Sequence, residues 1–139
     1  MKIKVKSVKV KLNQSAIRKL TRAEERAAEL TAEAILSDIV SRAVTPKDTG
    51  ELERSGFVEK SRSLVYSIVF STPYARRWYF NLPITDVNGR KSSSATFQKT
   101  KNVNAQDHWM DYYFTGEGMQ WIIDTYTKFL KQESGGVVS

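Results

Sequence analysis

The strongest constraint on the fold is a single long amphipathic stretch near the N-terminus. Asn13 to Ser15 supply capping side chains, and the apolar positions that follow predict a helix over about 16–44. Its first half carries one stripe of Ile17, Leu20, Ala27, Leu30 and Ala34. Its second half is apolar around more of its girth, through Ile35, Leu36, Ile39, Val40, Ala43 and Val44. Arg22, Glu25, Arg26 and Glu29 form the wet face. Thr45-Pro46 is the expected stop, because a residue before proline avoids the α region. The rest of the chain must pack on this helix.

Before it, residues 2–12 alternate lysine with Ile3, Val5, Val8, Val10 and Leu12, which reads as a basic strand with a phase slip at Ser7. Edge protection and a charged contact surface explain those lysines equally well. After the helix, Lys47-Asp48-Thr49-Gly50 reads as a turn. Leu52–Glu59 and Leu64–Phe70 read as two strands of an antiparallel hairpin, joined by the polar Lys60-Ser61-Arg62-Ser63. Ser71-Thr72-Pro73 breaks the second strand, and an aromatic and arginine-rich block follows at 74–80. Residues 81–106 form a long polar loop. Residues 107–132 read as helical, with Gly116-Glu117-Gly118 as a kink or split. The expectation is one α+β domain over 1–134, in which a long N-terminal helix and a C-terminal helix pack on a small antiparallel sheet, with 135–139 a frayed tail.

Composition narrows the chemistry. The 139 residues are one domain's worth, and no apolar run approaches a membrane span. The N-terminus shows no apolar core of a secretory signal. There is no cysteine and one histidine, so thiolate and His-pair metal sites are excluded. No P-loop, GxGxxG, HExxH or GxSxG is present, and His108 has no orienting partner identifiable in the sequence. Asp48, Glu51 and Glu53 lie beside a turn, where carboxylates are usually caps and solvated charges. The reading is a non-enzyme that needs no cofactor or metal.

The net charge of +7 is unevenly placed. Residues 1–22 hold eight bases and no acid, and residues 76–101 hold six bases against Asp86. The segments 23–75 and 102–139 are each acidic by three charges. Such a chain suits nucleic acid, or an acidic protein partner.

Two constellations remain. The first is the turn Pro46, Asp48, Thr49, Gly50, Leu52 and Ser55. The second is the block Pro73, Tyr74, Ala75, Arg76, Arg77, Trp78, Tyr79 and Phe80, whose residue types are those enriched at interface hot spots. Arginine stems laid over rings that cap the core would explain the second block equally well. In this order and spacing, "TPKDTGELERS" and "TPYARRWYF" resemble the minor capsid and tail-component proteins of tailed bacteriophages, across about residues 15–130. Pro46, Asp48, Thr49, Gly50, Leu52 and Ser55 fit that family's first motif, and Pro73, Tyr74, Ala75 and Arg76 its second. The resemblance implies a structural head–tail connector subunit (neck or tail completion), with no active site. Such a subunit builds a homo-oligomeric ring beside neighbouring neck and tail proteins, with possible contact to DNA in the channel. It is made in the host cytoplasm, resides in the virion and has no membrane partner. Pro73, Tyr74, Arg76, Arg77, Trp78 and Tyr79 are then the candidate subunit interface. The alternative is a basic nucleic-acid-binding protein.

Overall fold

The computed structural model describes residues 13–47, 50–82, 88–89, 97 and 99–136. The fold is α+β. Helix α1 (Gln14–Ser41) is the spine, and Asn13 caps it by accepting from the Ala16 N–H at 3.1 Å. The helix starts two residues before the expected position and ends three residues early. Proline is not what stops it: Arg42 closes the last turn and Ala43 turns left-handed at φ 53°. The carbonyls beyond are taken by a returning segment. The N–H of Asn104 donates to Ala43 O (3.1 Å), that of Gln106 to Val44 O (2.9 Å), and the Asn102 amide to Thr45 O (2.8 Å). Residues 44–46 must therefore be extended, and Val44 and Thr45 are buried.

Gly50, at φ 84°, then starts a single helical turn, α2 (Glu51–Arg54), where a strand was expected. The helical turn carries Leu52 into the core, a direction that an extended chain after Gly50 would not give. Strand β1 (Gly56–Arg62) pairs antiparallel with β2 (Val65–Phe70), in register from Gly56↔Phe70 to Arg62↔Val65 with a bulge between Lys60 and Arg62. The hairpin is tighter than its four-residue polar connection suggests, because β1 runs on through Arg62. Ser63-Leu64 make the turn, with Leu64 left-handed at φ 60°.

The aromatic block is helical. Helix α3 (Ala75–Phe80) follows the Thr72-Pro73-Tyr74 turn and ends on left-handed Asn81. The expected helix at 107–132 is two elements. A 3-10 turn at Asp111–Tyr113 precedes α4 (Gly116–Glu133), which begins where Gly116 takes φ 61°. Gly118 explains the split: a Cβ there would lie 1.9 Å from the carbonyl oxygen of Tyr112, so only glycine lets α4 close against the preceding turn.

The core gathers Ile39, Val44, Leu52, Ala75, Trp109 and Tyr113, flanked by Ile35, Ile68, Phe70, Trp78 and Trp121. Helix α4 lies along α1, where Ala23, Ala27, Thr31 and Ala32 are buried. The expected strand at 2–12, most of the polar segment at 83–98 and the last three tail residues lie outside the described residues.

Candidate interaction surface

The two sequence blocks become one structural unit. Leu52 from the first and Ala75 from the second are buried in the same cluster, both against Trp109 and Ile39. A polar clasp joins their flanks. The hydroxyl of Ser55 donates to Leu52 O (2.6 Å) and accepts from the Ser71 N–H (3.2 Å), while the Ser71 hydroxyl reaches Ser55 O at 3.5 Å. Lys47 pairs with Glu53 at 2.9 Å, and the Asn102 amide also donates to Glu53 (3.2 Å). Glu53 is thus a structural anchor of the turn. Pro46 and Gly50 fit the same turn; Asp48 and Thr49 lie outside the described residues.

Within the second block, the helix sorts the side chains. Pro73, Tyr74 and Arg76 are exposed, with Tyr74 at 63%. Arg77 is half-buried, its guanidinium carbon 4.4 Å from the centre of the Trp78 ring. Arg77 Nε and Thr72 Oγ1 are both buried and find no hydrogen-bond partner among the described residues. Arg76 lies more loosely, 5.6 Å over Phe80, itself half exposed. Tyr79 is turned inward, edge-on to Trp109 at 4.9 Å, and its hydroxyl donates to Asp111. Burial and that carboxylate push the phenol far above its ordinary range. Trp78 meets Phe97 edge-on at 5.7 Å. Of the six candidate interface residues, Pro73, Tyr74 and Arg76 face outward, whereas Arg77, Trp78 and Tyr79 close the core.

The lone histidine sits at this end of the molecule. His108 takes φ 46°, its N–H donates to Tyr79 O (2.8 Å), and its ring packs beside Tyr79 and Phe80. Its Nδ1 lies 3.2 Å from Asp107, and both side chains are over two-fifths exposed. That pair is a surface contact with no enclosing cleft. Among the described residues, no group of three His, Asp or Glu is placed to hold a metal ion. No described helix is long and apolar enough to cross a membrane.

Sequence reasoning missed three features. Arg42 stacks 3.6 Å over Tyr112 at the exit of α1. Trp109 is the largest fully buried side chain, and a tryptophan in a polar neighbourhood gave a weak signal of that. Glu25, assigned to the wet face, holds the tip of the hairpin: it accepts from the Ser63 hydroxyl, the Leu64 N–H (3.0 Å) and the Tyr66 hydroxyl (3.0 Å), and pairs with Lys60 at 3.3 Å. The Ser63 bond first, then those of Tyr66, Lys60 and Leu64, hold its carboxyl down to about 2. Comparison of the chain with protein families, curated proteins and solved structures gives no match.

Proposed function

We propose that this chain is a structural subunit of a tailed-bacteriophage virion, a minor capsid or head–tail connector protein that joins copies of itself into a ring between head and tail. The observation that carries the reading is the convergence of the two blocks. The residues that resemble the family's two motifs form one buried hinge around Leu52 and Ala75, and that hinge presents Tyr74 and Arg76 outward. A rigid base with an exposed aromatic and an arginine suits a protein interface. The buried Arg77 Nε and Thr72 Oγ1, unpaired among the described residues, add donors that a neighbour's carbonyl or carboxylate would satisfy. A ring requires head-to-tail contacts between unlike surfaces of one chain, and basic segments on an acidic body provide unlike surfaces. The partners are then further copies of the chain and the adjoining neck and tail proteins.

The charge of +7 favours a second reading, a nucleic-acid-binding protein. Electron microscopy of the purified chain, with a salt titration of its affinity for duplex DNA, separates the two. Closed rings with weak DNA affinity are expected. A persistent monomer whose DNA affinity falls steeply with salt would establish the second reading instead.

A further inference from the structure

The two flanks of the hairpin differ in a way that points to a missing strand. On the β1 side, the groove against α1 is charged, lined by Arg22, Glu25, Arg26, Glu29 and Lys60. On the β2 side, a groove of about 360 Å³ is apolar. Its floor is α1, through Ala28, Thr31, Ala32 and Ile35. One wall is β2 with the adjoining Leu64, through Leu64, Tyr66 and Ile68; the other is α4, through Ile122 and Tyr126. Among the described residues the sheet has two strands, and none lies along β2 on this side. Leu64 is 48% exposed there.

We propose that residues 2–12 of the same chain fill this groove as a third strand on the outer edge of β2. Direction, reach and pattern all agree. Strand β2 starts beside Glu25 and ends at Phe70 beside Trp109 and Ile39, so it runs in the same sense as α1. A segment that enters α1 at Asn13 after lying along that helix runs the opposite way, which makes it antiparallel to β2. From Asn13 to Ile35 the helix spans about 33 Å at ~1.5 Å per residue. An extended segment of 2–12 spans about 36 Å at ~3.3 Å per residue. Laid back along α1, Val5 comes level with Thr31 and Ile3 with Ile35, the two ends of the apolar floor. The alternation places Ile3 and Val5 on one face, toward the groove, and Lys2, Lys4 and Lys6 on the other, toward water. The charged groove on the β1 side offers no such match. A two-stranded sheet is marginal alone, and a third strand over α1 completes a layer. The inference is independent of the virion reading, since it concerns how the chain covers its own sheet.

The absence of cysteine makes the test clean. Cysteines introduced as Val5→Cys and Tyr126→Cys, treated with a short bismaleimide, are expected to give a cross-linked monomer that migrates faster on a denaturing gel. Cross-linked dimers would mean that a second copy supplies the strand, and absence of any link would mean that the groove is left to something else; either result overturns the proposal. Hydrogen exchange on the unsubstituted chain gives a second reading that needs no variant. Amides of Val65–Phe70 that point away from β1 are expected to exchange as slowly as those bonded to it. Exchange of the outward amides at unprotected rates would overturn the proposal.

Discussion

Two glycines set local geometry that no other residue reproduces. Gly50 sits at φ 84° at the entry to α2, where an L-residue with a branched side chain is strained. Gly50→Val is expected to lower stability by about 1–3 kcal/mol, read as a fall in melting temperature. An unchanged melting temperature would show that the turn tolerates another path. Gly118 differs in kind, because the obstacle is backbone. A Cβ 1.9 Å from the Tyr112 carbonyl oxygen forces α4 away from the 3-10 turn. Gly118→Ala is expected to cost about 1–3 kcal/mol by overpacking, despite alanine's better helix propensity; a melting temperature that rises would contradict this. Gly50 was legible in the sequence because it follows a proline turn. Gly118 was legible only as an interruption, since nothing local shows that Tyr112 folds back over it.

The elements whose character was misread are those decided by distant contacts. The period-2 pattern predicts the hairpin, and the 3.6-residue pattern predicts α1, because in both the local signal and the burial agree. The end of α1 was misplaced because the backbone of Asn104 and Gln106 claims the carbonyls of Ala43 and Val44, a pairing across sixty residues. The aromatic block was left without helical character because its rings pack on a returning segment rather than along a repeating stripe. Glu25 belongs to the same class: on α1 it looks like a solvated charge, yet it ties the helix to the hairpin tip. Its carboxyl is held at about 2, against about 4.3 for an unfolded glutamate. A depressed folded value means that the unfolded chain binds protons more readily as pH falls. The contribution is therefore fully present above about pH 4.3 and is lost as pH falls towards 2. The wild-type melting temperature is expected to drop across that window by more than that of Glu25→Gln. Parallel curves for the two proteins would remove Glu25 from the account.

At the scale of the molecule, the α+β architecture and the absence of familiar catalytic motifs were readable from the sequence, whereas which aromatic residues face outward was not. A helix at Ala75–Phe80 sets Arg76 and Arg77 about 100° apart rather than on opposite faces. Arg77 lies over Trp78 and supports the core, so its loss would confuse folding with assembly. Arg76 is the exposed one, beside Tyr74, and is the clean probe of the proposed interface. A guanidinium buried against a neighbour's carboxylate orients as well as binds, and removing one partner of such a contact costs on the order of 2–5 kcal/mol. A solvated arginine contributes close to nothing. The deciding measurement is the mass in solution, by light scattering, of the unsubstituted chain and of Arg76→Glu, with circular dichroism to show that both are folded. The account predicts a closed oligomer for the first and a folded monomer for the second. A folded Arg76→Glu chain that assembles to the same mass as the unsubstituted one would contradict it.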